Sequence, residues 1–452
     1  MTKIGANAFK GAVNLKSVLL PKDDASKKLE IGESAFEGCA NLKDVIFPAQ
    51  TSSLGLYVFR DCTKLTAVDI SKTKVTAIAD LFINCVQLSD FKINNKVFRM
   101  RDKSFNNCKS LTSFEIPNSM TYGLTAAPFA GSGINTFIVE PAHVSYKTIN
   151  GEVYFKDGTQ LIVCSPAKTG VYTVMDGVTR IGAKSFSGND KITKVVLPAS
   201  LLKPEYQNIE GSFHEMHGLE AFETIDNHPS IKIIDGAIYC TEGKILYSYP
   251  AGKSDPKITL APSTETIVDK AFSSNKKIEE IVFPDKLTHI NMSFQDAIGL
   301  KKIVLPASIK SIQSSFDGAE NLTEVVCNAL NPPGMDIYTF RKTKVNTIYV
   351  PGESVEKYKA HKEWSAFNIL PFDATSIEKN EATDLHITCK DGFVHIVSEI
   401  PVTEVKVYNL NGQLIKLSNS PDFNLKISKN SLIVLSVLLE NGNTVNRKLI
   451  VR

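Results

Sequence analysis

A phenylalanine that returns every 22 or 23 residues is the feature that most limits what this chain can become. Phe36, Phe59, Phe82 and Phe105 stand 23 apart, and Phe272, Phe294 and Phe316 stand 22 apart. The clearest unit reads Ile-Gly-x-x-x-Phe, then Leu six residues after the Phe, then a short apolar run closed by Pro. One copy runs from Ile4 through Phe9, Leu15, Val18 and Leu20 to Pro21, and another from Ile31 through Phe36, Leu42, Val45 and Phe47 to Pro48. Further copies centre on Phe129, Phe186, Phe213 and Phe340. A fixed period in this range is the signature of a solenoid, because one unit cannot bury its apolar face alone and must stack on its neighbours.

The spacing predicts one strand per unit, at residues 45–47, 68–70, 91–93, 114–116, 195–197, 281–283 and 303–305. These strands lie edge to edge in a parallel sheet with the Phe side chains behind them. Pro48, Pro117, Pro198, Pro284 and Pro306 end strands because Pro cannot donate to the ladder. Gly11, Gly38, Gly131, Gly188 and Gly318 lie two residues after the Phe, where the chain has to turn. Two longer units match each other: Gly151-Glu152-Val153-Tyr154 leading to Ser165-Pro166-Ala167, and Gly236-Ala237-Ile238-Tyr239 leading to Tyr249-Pro250-Ala251. Both read as hairpins inserted into the array. Toward Phe372, Ser354 reads as an N-cap before Val355, Tyr358, His361 and Trp364 at helical spacing, a capping helix near 354–366. After it the pattern becomes short strand signals and turns, with Asn411-Gly412 as the strongest hairpin signal. The fold class is therefore an α/β-type repeat: a leucine-rich-repeat solenoid over 1–372, followed by a small all-β sandwich over 373–452.

These residues resemble the BspA-like leucine-rich repeats of bacterial surface proteins. The Ile-Gly-x-x-x-Phe…Leu…Val-x-Leu-Pro unit, the hairpins at Asn150 and Asp235, and Ile348-Tyr349-Val350-Pro351-Gly352…Tyr358…Trp364…Phe367 carry the likeness. The units at Phe129 and Phe213 are degenerate. The resemblance implies export, display on the cell surface and adhesion to host proteins, with no catalytic residues. Val405 to Ile415, with Lys448 to Arg452, is similar to the C-terminal sorting domains of type IX secretion in Bacteroidetes, although Ser431-Leu432-Ile433-Val434 stands where that family has Gly-Ile/Val-Tyr. The chain opens inside a repeat with no polar cap or signal peptide, so an export signal is expected to precede Met1.

Lys+Arg 51 against Asp+Glu 48 leaves a net charge of +3, which gives no footprint for nucleic acid. No apolar run reaches the 18 or so residues that a membrane span requires. Cys39, Cys62, Cys85 and Cys108 each lie three residues after a repeat Phe, and are expected to be buried free thiols rather than a metal or redox centre. His386, Cys389 and His395, and the pair His214 and His217, lack the number and spacing of zinc ligands. No cofactor, catalytic residue or metal ligand is assigned. The candidate binding face is the outward position between the two core residues of each strand: Leu19, Ile46, Asp69, Lys92, Glu115, Ile138, Val196, Val282, Val304 and Val326. A host or matrix protein, or a glycan, would be the partner. The other readings are a structural stalk and a glycan-acting enzyme. For the enzyme the chain offers the aromatic cluster Tyr239, Tyr247 and Tyr249 but no carboxylate pair set apart.

Overall fold

The structure, a computed structural model, describes residues 2–371 apart from 22, 25, 203–208, 210, 226–227 and 274. It also describes 385–450 apart from 391–392, 399, 410–412, 426–430 and 441–443. The chain divides into two units, residues 1–325 with 332–346 and residues 326–331 with 347–452.

The first unit is a parallel solenoid of stacked coils. Its front sheet comes from the apolar runs: Ser17–Val18, Asp44–Ile46, Ala67–Asp69 and Asp90–Lys92 pair in order, and Val18, Val45, Val68 and Phe91 are partners across the ladder. Ser113–Glu115 pairs with Thr136–Ile138, and Ile192–Leu197 pairs with Gly170–Thr173 and Ala221–Thr224. Most front strands start one residue earlier than the spacing predicts, because the residue before the first core position already pairs. The sequence pattern pointed to one sheet, but the structure has a second behind it. The Ile of each Ile-Gly motif belongs to a short strand, so that Lys3–Ile4, Leu29–Ile31 and Thr51–Leu54 pair in parallel. The adjoining glycines are required by the closeness of this stacking. A Cβ on Gly32 would stand 2.5 Å from the Ala6 nitrogen, and one on Gly55 would stand 2.5 Å from that of Glu33.

Between the sheets the Phe side chains form a ladder. Ring centroids of Phe9, Phe36, Phe59, Phe82, Phe105 and Phe129 are 5.2, 5.7, 5.7, 5.3 and 5.8 Å apart in turn, all stacked. The backbone runs beside them as a second ladder. The amide of each repeat Phe donates to the residue before the next Phe, as in Phe36 N to Val58 O at 3.0 Å and Phe82 N to Ser104 O at 2.9 Å. The amide two residues later donates to the residue after the next Phe: Gly38 N to Arg60 O at 2.8 Å and Asn84 N to Asn106 O at 2.9 Å. Aiming these amides at the next coil takes left-handed backbone two residues after the Phe. Gly11, Gly38, Gly131, Gly188 and Gly318 supply it, and so do Asp61, Asn84 and Asn107 with φ of 61° each.

The two elaborated repeats are antiparallel three-stranded meanders. Tyr146–Ile149, Glu152–Phe155 and Gln160–Val163 form the first, and Ile231–Ile234, Ala237–Cys240 and Ile245–Ser248 the second. Asn150-Gly151 and Asp235-Gly236 carry positive φ at both residues, the type I′ geometry that suits a two-residue hairpin. The last strand of each meander rejoins the parallel back sheet. The second meander also places Tyr249 in the aromatic ladder, 4.9 Å from Phe272.

In the second unit the helix is shorter than expected, Val355–Lys359, with 3-10 turns at Gly352–Ser354 and Trp364–Ala366. Ser354 is not its side-chain cap. Its hydroxyl donates instead to Leu330 O at 3.0 Å. The fully buried Tyr358 meets Trp364 edge to face and donates to Ala329 O at 2.9 Å. That bond holds the 326–331 segment to this unit. Further on, two antiparallel sheets share a core of Val394, Val405, Val407, Leu435 and Val437. One contains Leu385–Lys390, Phe393–Ser398 and Asp422–Asn424, and the other Leu414–Ser418, Val402–Asn409, Leu432–Leu439 and Thr444–Ile450. The Asn411-Gly412 turn lies outside the described residues.

Phe82 is fully buried between Phe59 and Phe105. Phe82→Ala is expected to destabilise the solenoid by about 3–5 kcal/mol, because a rigid stack collapses poorly around a deleted ring. Urea unfolding measures it, and a midpoint equal to the wild type would show that the ladder does not depend on this ring.

Candidate functional site

The proposed front-face residues of the first unit fall at equivalent positions in successive segments of the front sheet. Ile46 pairs with Asp69, Asp69 with Lys92, Glu115 with Ile138, and Val282 with Val304. The row also takes in Thr173, Glu223 and Thr259, which pair with Val196, Val196 and Val282 respectively. Those three were missed in the sequence because their repeats lack the standard strand pattern. Exposure is uneven. Leu19 is fully exposed, Ile46 is 78% exposed and Ile138 50%, with the charged row Asp69, Lys92 and Glu115 between them. Val196, Val282 and Val304 are half-buried, as is Val326 in the second unit. Among the proposed residues, the strongly exposed apolar ones thus form two separate patches at the N-terminal end, not one stripe.

The four register cysteines are fully buried free thiols, and their role is more specific than packing. Each donates its S–H to the carbonyl of the Phe in the preceding repeat. Cys39 reaches Phe9 O at 3.1 Å, Cys62 reaches Phe36 O at 3.1 Å, Cys85 reaches Phe59 O at 3.0 Å and Cys108 reaches Phe82 O at 3.1 Å. Each of these carbonyls already accepts an amide of its own turn, as Phe36 O does from Cys39 N at 3.1 Å, so the thiol from the next coil takes the second lone pair. Burial pushes the Cys62 thiol up to about 12 and raises Cys39, Cys85 and Cys108 as well, so none is a nucleophile near neutral pH. Among the described residues, no group of three His, Cys, Asp or Glu could hold a metal ion.

Glu152 is a buried carboxylate that sequence reasoning passed over. It lies in the first meander, where the Tyr172 hydroxyl donates to it at 2.8 Å and the Tyr154 hydroxyl at 3.2 Å, with Lys168 Nζ 3.8 Å away. Desolvation raises its pKa, and the tyrosines and Lys168 oppose that shift. No periodic position marks it, which is why the sequence did not reveal it. The three tyrosines Tyr239, Tyr247 and Tyr249 are all buried, so they form wall and ladder rather than an open platform.

A concave feature lies on the turn side of the first unit, away from the proposed row. It is an open cleft of about 610 Å³ whose walls come from the residues around the repeat Phe, including Tyr57, Asp80, Lys103, Asp190, Glu215 and His217. Burial, with Lys276 nearby, holds His217 below its ordinary pKa, so the imidazole is neutral at pH 7. A smaller cleft of about 350 Å³ opens beside Phe98, Met100, Met120 and Tyr122.

The BspA type leucine rich repeat region matches this chain in six copies, over residues 2–135 and 249–361. No curated protein matches it in sequence. Solved structures with a similar course include a leucine rich cell surface protein from Faecalibacterium prausnitzii, 17% identical over 82% of each chain with a TM-score of 0.35. Another is a leucine-rich repeat protein from Eubacterium ventriosum, 16% identical over 69% of this chain and 73% of that one, TM-score 0.37. A third, from Bacteroides ovatus, is 16% identical over 82% and 87%, TM-score 0.29. At such TM-scores these overlays add nothing to the family match.

In the native protein at pH 8 a thiol reagent is expected to label at most the half-buried Cys389, and all eight cysteines once urea unfolds the chain. Fast native labelling of the register cysteines, or stoichiometric zinc in the purified protein, would overturn their assignment. For Glu152 the folded pKa is raised, so its protonated form contributes stability fully below the ordinary glutamate value, and that contribution is lost as pH rises through the raised one. Urea midpoints across that window should therefore fall in the wild type relative to Glu152→Gln. Parallel pH profiles would show that its charge does not matter.

Proposed function

This chain belongs to the BspA-type leucine-rich-repeat family, and from that premise we propose that it is an exported recognition protein displayed at a bacterial surface. Residues 1–372 present a binding face to a host or matrix protein, and residues 373–452 serve attachment or export. The observation that carries this reading is the exposure of Leu19 and Ile46 on a rigid front sheet. Two large aliphatic side chains stand in water where the fold has no use for them. Strand pairing fixes Ile46, and Leu19 directly follows the paired Ser17–Val18, so a partner would pay little ordering entropy on their side of the interface. Ile138 forms a second apolar point beyond the charged row Asp69, Lys92 and Glu115. An extended partner with apolar anchors at both ends and mixed charge between them would complement this face.

Binding is favoured over catalysis by the character of the surfaces. The front face is a broad sheet. Glu152, a carboxyl whose pKa burial raises, is only 4% exposed and already engaged by Tyr172 and Tyr154. Origin in a Bacteroidetes cell and use of the last 80 residues as a sorting domain are parts of the same proposal. Its support is the sequence resemblance of those residues and the antiparallel two-sheet core they form.

The test is surface binding of the full chain to a panel of immobilised matrix proteins, beside Leu19→Asp with Ile46→Asp. Both sites are solvent-exposed, so the double variant is expected to fold normally and to lose about 2 kcal/mol or more of binding free energy. Retention of wild-type affinity by that variant, or binding to no protein of the panel, would sink the front-face reading.

A further inference from the structure

The cleft on the turn side contains a feature that neither the repeat fold nor front-face recognition requires. Two residues after the Phe, three successive repeats carry Asp61, Asn84 and Asn107, and their side chains are hydrogen-bonded to one another in a row. Asn84 Nδ2 donates to Asp61 Oδ1 at 2.7 Å, and Asn107 Nδ2 donates to Asn84 Oδ1 at 2.9 Å. At the same register the next two repeats have Gly131 and Gly188, so the row of side chains stops at Asn107 and the wall opens. Glycine alone would satisfy the left-handed backbone here, as it does at Gly11, Gly38 and Gly318. The register also admits Glu215, Asp296 and Lys342, so what sets Asn84 and Asn107 apart is not the turn but the amide row they form with Asp61 along the wall of the cleft.

Around this opening the cleft offers charges of both signs in near balance. Arg60, Lys103 and Lys276 line it with Asp80, Asp190 and Glu215, Asp61 of the amide row lies 3.5 Å from the Arg60 guanidinium, and His217 is uncharged. That balance does not suit a polyanion, which would seek one sign of charge. The walls hold one aromatic, Tyr57, with the Arg60 guanidinium 5.5 Å from its ring centre, and one branched aliphatic, Ile83. This gives too little apolar area to anchor hydrophobic peptide side chains. Fixed amides, carboxylates and cations interleaved at short range are instead suited to a ligand whose every group both donates and accepts, which describes a sugar hydroxyl. The amide row also has a period. The repeats that carry it are 5.7 and 5.3 Å apart at their Phe rings, a step comparable with one pyranose ring in an extended chain.

We propose that this cleft binds a linear, uncharged polysaccharide lying along the stacking direction, with successive sugars meeting successive repeats at Asn84 and Asn107. Because the amides are already held by one another, little side-chain entropy is lost when the glycan binds. The site is separate from the front sheet, so protein recognition and glycan recognition can stand or fall independently.

The experiment is calorimetric titration of the full chain with β-1,4-linked gluco-, xylo-, manno- and N-acetylgluco-oligosaccharides of two, four and six sugars. A heparin hexasaccharide and a Ser-Asn-Gly repeat peptide serve as the other arms. At least one neutral series is expected to bind, with affinity rising with length until the cleft is spanned. Asn84→Gly and Asn107→Gly keep the left-handed backbone, so each should leave the urea midpoint near the wild type. Each should weaken the hexasaccharide about tenfold, the worth of a lost directional hydrogen bond. Leu19→Asp with Ile46→Asp should leave sugar binding unchanged. The proposal is overturned if no neutral hexasaccharide binds, if affinity does not grow with length, if the glycine variants bind as well as the wild type, or if heparin or the peptide binds in place of the neutral sugars.

Discussion

Each coil of this solenoid leaves backbone amides that only the next coil can satisfy. The Phe36 amide reaches Val58, the Gly38 amide reaches Arg60, and the Cys62 thiol returns to the Phe36 carbonyl. A buried, unpaired amide or carbonyl costs more than a made hydrogen bond gains, so these contacts fix the register of every repeat against its neighbours. The stacked phenylalanines follow from that register rather than cause it. Once coils are held a strand spacing apart, equivalent side chains have to meet, and a flat ring meets its own kind well at that distance.

The same constraint explains where the sequence may vary. Gly32 and Gly55 stack backbone on backbone and admit no side chain. Two residues after the Phe, the demand is only for left-handed backbone, which Asn and Asp meet at small cost. That tolerance lets polar groups line the turn side without disturbing the core. The front row is free for a different reason, since alternate strand residues point away from the core whatever they are. Two surfaces are therefore open to selection on one scaffold, an apolar-and-charged row in front and a polar cleft at the turns.

Insertions are absorbed because a meander can leave the array and return to it. The first leaves after the Phe129 repeat and rejoins the back sheet through Gln160–Val163. It carries Glu152 inside, a carboxyl that burial pushes toward its neutral form and two tyrosines keep hydrogen-bonded. The second returns through Ile245–Ser248 and lends Tyr249 to the aromatic ladder in place of a repeat Phe.

What the amino-acid sequence determined by itself was everything governed by periodicity. The Phe period, the alternation of Val45 and Phe47, the turn glycines and the shared offset of the four cysteines are local regularities, and a regular chain can satisfy them only by stacking. The type I′ turns at Asn150 and Asp235 were equally legible, since two positive φ angles select those residues. The second sheet was not, because Ile4 and Ile31 pair only after the front strands have set the coil spacing. Ser354 looked like a cap until the tertiary structure offered Leu330 O as a partner. The cleft was least legible of all. Asn107 and Glu215 share the register two residues after a repeat Phe, but no spacing rule says that turns as far apart as Tyr57 and Lys276 line one cleft. They share one wall only because the way the coils stack brings distant turns together, and that is a property of the folded array rather than of any stretch of chain.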